Sequence, residues 1–212
     1  MKIILLGAPG VGKGTQAERI SNKLGIPAIS TGLIIRHAIA AQNEVGKLAK
    51  GYIDKGQLVP DEVVIKLLLD RLKESDCEKG FILDGFPRTI PQAQALIDNN
   101  VNIDAVVDIE LEDDEILSRL SGRRECSECG KTYHLIWNKP SKDGICDSCG
   151  ASLVRRHDDE PDTIKKRLVV YHNQTEPLKT FYREKGLMAA VRSQEGVEET
   201  TKEVFKALGV NV

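Results

Sequence analysis

Residues 7–15 read Gly7-Ala8-Pro9-Gly10-Val11-Gly12-Lys13-Gly14-Thr15, and this stretch decides the fold. It follows a short apolar run over 2–6 and precedes a segment over 15–24 whose apolar residues recur at helical spacing. A Gly-x4-Gly-Lys loop between a buried strand and a helix is typical of phosphate-binding loops. Small residues let backbone N–H groups point at phosphate oxygens, and the helix N-terminus adds positive potential. We therefore predict a phosphate site here, with Lys13 as its mobile cation.

Beyond this loop, short apolar runs alternate with helical patterns along the chain. Strands are expected near 27–30, 81–83, 104–111 and 187–191, and helices between them. Thr89 and Gln92 form a candidate capping box for one helix, and a single long helix is expected over 162–182. This alternation predicts an α/β fold with a parallel sheet.

Composition excludes several classes of protein. The 212 residues are 41% hydrophobic, so the chain can bury a core and is not disordered. The balance of 30 Lys and Arg against 32 Asp and Glu argues against a broad nucleic-acid surface. No apolar run approaches the ~18 residues of a membrane span, and the apolar run at the N-terminus is too short for a signal peptide. We therefore expect a cytoplasmic protein that binds neither nucleic acid nor membrane.

Four of the five cysteines form two Cys-x2-Cys pairs. They are Cys126, Cys129, Cys146 and Cys149, in a segment over 122–159 that has no helical period. Four thiolates at this spacing fit a tetrahedral metal and leave no open coordination position, which predicts a structural ion. Iron in the same site, or two disulfides, remain open alternatives. Cys77 lies apart and is interpreted as a bystander.

Several motifs together resemble one enzyme family. They are the 7–15 loop, Ser30-Thr31-Gly32, Lys55-Gly56-Gln57-Leu58-Val59-Pro60, Asp84-Gly85-Phe86-Pro87-Arg88-Thr89 and the cysteine segment. Over nearly its whole length the chain resembles the long, zinc-containing bacterial adenylate kinases. The resemblance implies reversible phosphoryl transfer from ATP to AMP, giving two ADP, by a monomer that uses Mg²⁺ and a structural Zn²⁺.

The same resemblance implies a P-loop, three-layer core with a parallel five-stranded sheet. The core would comprise 1–29, 60–121 and 160–212. An AMP-binding helical flap would comprise 30–59, and a zinc-containing lid 122–159.

Site residues follow from the resemblance as well. It implies a catalytic set of Lys13, Arg88, Arg123, Arg156 and Arg167. It implies ATP contacts from Gly10, Val11, Gly12, Lys13, Gly14, Thr15, Arg119, Arg123, Tyr133 and His134. It implies AMP contacts from Thr31, Arg36, Gln57, Leu58, Val59, Gly85, Phe86, Pro87, Arg88, Gln92, Arg156 and Arg167. Asp84 would hold Mg²⁺ through water, and Asp158 and Asp159 would orient the arginines or hold the lid shut.

One position departs from the family pattern, because Leu33 stands where an acidic residue usually follows Thr31-Gly32. This departure puts one water-mediated Mg²⁺ contact in doubt and leaves Asp84 as the nearest carboxylate in the recognised motifs. Leu33 could instead tighten the packing of the flap helix or touch the adenine.

Two other functions remain open at this point. A zinc ribbon that contacts nucleic acid, powered by a P-loop ATPase, is disfavoured because opposite charges nearly balance over 122–159. A kinase for UMP or CMP is a closer competitor, since Thr31 and Gln92 favour AMP through the resemblance alone.

Overall fold

A computed structural model describes residues 1–211, and a parallel five-stranded sheet lies at its centre. The strand order is β2-β3-β1-β4-β8. The strands are β1 (Lys2–Leu6), β2 (Ala28–Ser30), β3 (Phe81–Asp84), β4 (Ala105–Glu110) and β8 (Met188–Arg192). The predicted α/β fold and its parallel five-stranded sheet are therefore confirmed.

Helices cover both faces of this sheet. They are α1 (Lys13–Leu24), α2 (Thr31–Ala40), α3 (Glu44–Ile53), α4 (Asp61–Arg71), α5 (Ile90–Asp98), α6 (Asp113–Gly122), α7 (Pro161–Val170), α8 (Pro177–Glu184) and α9 (Val197–Ala207). Sheet residues alternate between two cores, because successive strand side chains point to opposite faces. Ile3 and Leu5 pack in one core, whereas Ile4 and Leu6 pack in the other.

The prediction of a single long helix over 162–182 is wrong. The chain there forms α7, a π-helical turn at Tyr171–Thr175 and then α8. Pro177 at the start of α8 has no N–H to donate to a preceding turn, so the regular ladder is interrupted just before it. Helix α3 was not expected either. It follows a break at Gln42, whose φ is 51°, and is capped by the Asn43 side chain, which accepts from Gly46 N at 2.8 Å.

The cysteine segment forms a second, smaller sheet. Its antiparallel strands are β5 (Arg123–Cys126), β6 (Thr132–His134) and β7 (Leu153–Val154), in the order β6-β5-β7. Cys126, Tyr133 and Cys146 form its small buried cluster. This sheet lies within the segment predicted as the lid, and α2 and α3 lie within the predicted flap. Across residues 1–211, no helix combines the length and the apolar character needed to cross a bilayer.

Candidate active site

A cavity of about 690 Å³ opens at the carboxyl ends of the central strands. Its walls come from the 7–15 loop, the start of α2, the Asp84-Gly85 turn and the cysteine segment. This volume is in the range of small-molecule sites, and open α/β sheets bind ligands at this edge.

The phosphate-binding loop connects β1 to α1, as predicted. Gly10 and Gly12 both have positive φ angles, 89° and 103°. A methyl group added at Gly10 would lie 2.7 Å from Leu120 Cγ, so that position lacks room for a side chain. Loop residues from Gly10 to Thr15, all predicted to contact ATP, line the cavity.

Lys13 begins α1, and its ammonium folds back onto the loop. The Nζ atom donates hydrogen bonds to Gly7 O at 2.8 Å and to Ala8 O at 2.7 Å. Burial lowers the pKa of Lys13 to about 8, against an opposing effect from the Asp84 carboxylate and with a further lowering from Arg88. A half-buried ammonium held by two carbonyls at the cavity wall can exchange them for anionic oxygens.

Asp84 and Arg88 lie on the turn after β3, opposite that loop. Asp84 is paired in register with Leu5 of β1, and its Oδ2 would lie 3.5 Å from a methyl group added at Gly14. Arg88 Nε donates to Gly85 O at 2.9 Å, and burial, followed by repulsion from other arginines, lowers the pKa of Arg88. The turn therefore presents one carboxylate and one half-buried guanidinium to the same cavity.

Gln92 differs from the simple capping-box expectation. The Thr89 side chain caps α5 by accepting from Gln92 N at 3.3 Å, as expected. The Gln92 amide, however, accepts from Arg88 N at 2.8 Å and donates to Asp61 Oδ1 at 2.7 Å. Gln92 is 1% exposed, so its orientation is fixed before any ligand arrives.

Most of the other predicted AMP residues line the part of the cavity formed by the start of α2, the 57–59 segment and the turn after β3. Its lining includes Thr31, Arg36, Gln57, Leu58, Val59, Gly85, Pro87, Arg88 and Gln92. Phe86 is the exception among the described residues, because its side chain packs in the hydrophobic core and does not line the cavity. Phe86 therefore supports the turn rather than contacting a ligand with its ring. The sequence motif could not show that Phe86 differs from Gly85 and Pro87, since only the packing of its side chain distinguishes Phe86 from them.

Arg123 of β5 and Arg167 of α7 share one fully buried carboxylate. Asp159 is 0% exposed and accepts from Arg123 Nε at 2.8 Å, Arg123 Nη2 at 2.5 Å and Arg167 Nη1 at 3.1 Å. Arg167 also pairs with Asp158 at 2.9 Å. Burial alone would raise the pKa of Asp158, but Arg167 and Arg123 outweigh it and lower that pKa. The two carboxylates thus fix both guanidiniums in the cavity wall.

A third carboxylate, Glu125 of β5, was not identified from sequence. Glu125 forms ion pairs with Arg156 and with Arg36, whose Nε lies 2.9 Å from Glu125 Oε1. Burial, followed by repulsion from Arg123 and Arg36, lowers the pKa of Arg156 well below its usual value. The sequence around Glu125 gave no signal for its contact with Arg36, because Arg36 lies 89 residues earlier in the chain.

The other end of the cavity carries aromatic and amphipathic groups. Arg119 donates to Ser193 Oγ and to Gln194 O, both at 2.8 Å, and its guanidinium carbon lies 5.8 Å from the Trp137 ring centroid. His134 stacks on Trp137 with ring centroids 4.2 Å apart. Trp137 lines the cavity too, although sequence reasoning did not place it there.

The Tyr133 hydroxyl points toward the cysteines and not into the cavity. Its Oη lies 3.5 Å from Cys146 Sγ and accepts from Asp147 N at 2.8 Å, and the residue is 2% exposed. Burial and the Cys146 contact raise the pKa of Tyr133 to about 12. The predicted ATP contact of Tyr133 therefore requires its backbone or ring edge, not its hydroxyl.

The four predicted metal ligands converge. The Sγ atoms of Cys126, Cys129, Cys146 and Cys149 all lie within 4.8 Å of one another. Cys126 and Cys149 are 3.4 Å apart at sulfur, and Cys129 and Cys146 are 3.6 Å apart. Burial raises the pKa of Cys146, but hydrogen bonds from Tyr133 and from backbone amides outweigh it and bring it to about 6. The set fits a tetrahedral thiolate site for zinc, since Zn–S bonds of about 2.3 Å place neighbouring sulfurs close to these separations.

Comparison with known proteins agrees with this geometry. Residues 5–187 match the family described as "Adenylate kinase". The adenylate kinase of Caldicellulosiruptor saccharolyticus is 55% identical over 99% of this chain and 100% of that relative. The adenylate kinase of Acetivibrio thermocellus is 52% identical over 98% of each chain, and that of Archaeoglobus fulgidus 50% identical over 96% of each. The chain that builds this arginine-lined cavity around a phosphate-binding loop therefore belongs to the adenylate kinase family.

Proposed function

We propose that this chain transfers the γ-phosphoryl group of ATP to AMP reversibly, giving two molecules of ADP. The observation that carries the proposal is the convergence of Lys13, Arg88, Arg123, Arg156 and Arg167 on one cavity. Phosphoryl transfer asks little covalent chemistry of a protein and depends on in-line positioning and on neutralising the transferred group. We assign those tasks to these five cations.

Lys13 is assigned to the β and γ phosphates of ATP. Its two carbonyl contacts are replaced by phosphate oxygens when the nucleotide binds, so the ammonium stays satisfied throughout. Arg123 and Arg167 approach the transferred group from the other side, held by Asp159. Side chains fixed before the substrate arrives lose little entropy in the transition state.

AMP is assigned to the flap side of the cavity. Arg88, together with Arg36, takes its phosphate, because a planar guanidinium binds two phosphate oxygens at once. Gln92 and Thr31 are assigned to the adenine side. Gln92 is held by Arg88 N and Asp61, and the Thr31 hydroxyl donates to Gly85 O at 2.9 Å.

Mg²⁺ enters the proposal through Asp84. This carboxylate faces the first turn of α1 and the loop that holds the phosphates, which is where a hydrated Mg²⁺ bound to ATP is expected. Asp84 would hold the ion through water, and the ion would neutralise charge on the β and γ phosphates. Leu33, by contrast, packs against the cysteine segment, so we assign it no metal role.

Zinc is proposed as the structural ion of the cysteine site. Cys126, Cys129, Cys146 and Cys149 complete a tetrahedral sphere without a position for substrate. The ion would hold together a sheet whose own buried cluster is small. Cysteines that bind a metal as thiolates are typical of a reducing compartment, so we also propose a cytoplasmic location. We also propose that the enzyme acts as a monomer, because a single chain brings all five proposed phosphate-binding cations to one cavity.

The proposal is tested by following ADP formation from ATP·Mg²⁺ with AMP, GMP, CMP or UMP as the acceptor. AMP is expected to give by far the highest kcat/KM, and Lys13→Met is the matched inactive control. A preference for UMP or CMP would contradict the proposed acceptor. Filter binding to DNA and RNA at low salt, expected to be negligible, tests the zinc-ribbon alternative.

A further inference from the structure

Glu125 occupies a position that the roles described so far do not explain. It lies on β5, beside the first zinc cysteine, and is 6% exposed. Its carboxylate pairs with Arg156 at the end of the cysteine segment and with Arg36 on α2, on the opposite side of the cavity. Arg36 Nη2 also donates to Glu125 Oε2 at 3.3 Å. One carboxylate thus connects the 30–59 flap to the 122–159 lid.

Two other contacts between these segments accompany the Glu125 ion pairs. A methyl group added at Gly130 would lie 2.5 Å from Leu33 Cδ1, so Leu33 packs directly on the lid backbone. Within residues 1–211, the other salt-bridge contact between the two segments joins Asp54 Oδ1 to His157 Nδ1 at 3.7 Å, between exposed or half-exposed groups, and it is ionic only when His157 is protonated. Exposed pairs contribute little. The Glu125 carboxylate is buried, pairs with both guanidiniums and accepts a charge-assisted hydrogen bond from Arg36.

We propose that Glu125 is a positioning residue that stabilises the closed arrangement of flap and lid and presents Arg36 and Arg156 to the phosphates. The effect of Glu125 on KM for AMP rests on the proposed function. Each guanidinium still has N–H groups to offer a phosphate, because Glu125 uses one edge of it. The carboxylate also offsets repulsion between Arg36 and Arg156, which would otherwise oppose closure.

Removing the charge of Glu125 shifts the equilibrium toward the open arrangement. Hydrogen bonds to charged groups contribute enough that we expect Glu125→Gln to lower the closed-to-open ratio about tenfold. When the binding-competent state is less populated, apparent affinity falls by the same factor. KM for AMP therefore rises several-fold, while saturating substrate restores closure and keeps kcat within about twofold of the parent.

The experiment measures closure directly, without nucleotide, on the full-length, metal-containing protein. Noncanonical amino acids at exposed Lys47 and Lys142 carry a donor and an acceptor for single-molecule energy transfer. The parent is compared with Glu125→Gln, Arg36→Ala and the double variant. Glu128→Gln, an exposed charge change in the same zinc knuckle, is the control and is expected to match the parent.

The expected result is a loss of the high-transfer population in Glu125→Gln and in Arg36→Ala. The two losses should be non-additive in the double variant, because both remove the same ion pair. Zinc content and Trp137 fluorescence are checked in each variant. Glu125→Asp, which keeps the charge on a shorter side chain, replaces Glu125→Gln if the latter loses metal.

Unchanged energy transfer, or strictly additive losses, would overturn the proposal. A lowered KM for AMP would overturn it too, since Glu125 would then compete with phosphate. Because energy transfer is read without substrate, a failure here is distinguishable from a failure of the proposed function.

Discussion

Asp159→Asn is the substitution that most sharply tests how the arginines are held. Asp159 is fully buried and accepts three hydrogen bonds from Arg123 and Arg167, whose side chains are 13% and 16% exposed. The asparagine has the same shape, but its NH₂ group faces a guanidinium and its charge is gone. Breaking a buried pair by removing one partner costs about 3–5 kcal/mol.

We expect the lower end of that range for the free energy of unfolding, because Arg167 keeps Asp158 at 2.9 Å. For a chain of this size, a loss of about 3 kcal/mol lowers Tm by roughly 6–12 °C. Since small misplacements of catalytic groups cost about 10²-fold in rate, kcat/KM should fall by about that factor.

The assays are calorimetric unfolding and coupled ADP formation at a temperature well below both Tm values. Asp143→Asn, an exposed change in the same segment, is the matched control and should stay within about 0.5 kcal/mol of the parent. If Asp159→Asn keeps more than about a third of the parent kcat/KM, the carboxylate does not position the arginines.

Three further predictions concern the lysine and the metal. Lys13→Met should lower kcat about 10²-fold or more with little change in Tm, as measured by coupled assay and thermal unfolding; retention of a tenth of the turnover would contradict its role. Because burial lowers the pKa of Lys13 to about 8 and bound phosphates raise it, ATP binding should take up a proton near pH 8 and little at pH 6.5. Titration calorimetry in two buffers of different ionisation enthalpy measures this, and Lys13→Met should show no such uptake. Elemental analysis should find one zinc per chain, and chelation should change Trp137 fluorescence before the helical circular dichroism of the core is lost. A metal-free protein with a single free thiol would instead indicate two disulfides.

Most of the fold, and the phosphate loop, could be predicted from local sequence motifs. Lys13 and the glycines of its loop are close in sequence, and the strand and helix around them follow directly from the apolar pattern. The Cys-x2-Cys pairs were equally informative, because metal-ligand spacing is itself a local property. The π-helical turn at Tyr171–Thr175 was not foreseen, although Pro177 directly after it was a local signal that the regular helix is interrupted.

Side-chain direction and long-range pairing were harder to predict. Tyr133 lies in the expected segment, yet its hydroxyl turns to Cys146, because the small sheet buries one face of β6. Leu33 stands where the family pattern has an acidic residue and was expected to tighten the packing of the flap helix or to touch the adenine, whereas the structure packs it on Gly130. Glu125 could not have been assigned, since its partner Arg36 belongs to a segment that approaches it through tertiary structure alone.

The central claim, that this chain moves a phosphoryl group from ATP to AMP inside a site closed to water, is tested most directly by rapid quench with [γ-³²P]ATP. With AMP and Mg²⁺ present, the label should appear in the β-phosphate of ADP, with two ADP formed for each ATP consumed and negligible inorganic phosphate. Labelled inorganic phosphate released at the same rate with or without AMP would contradict the account.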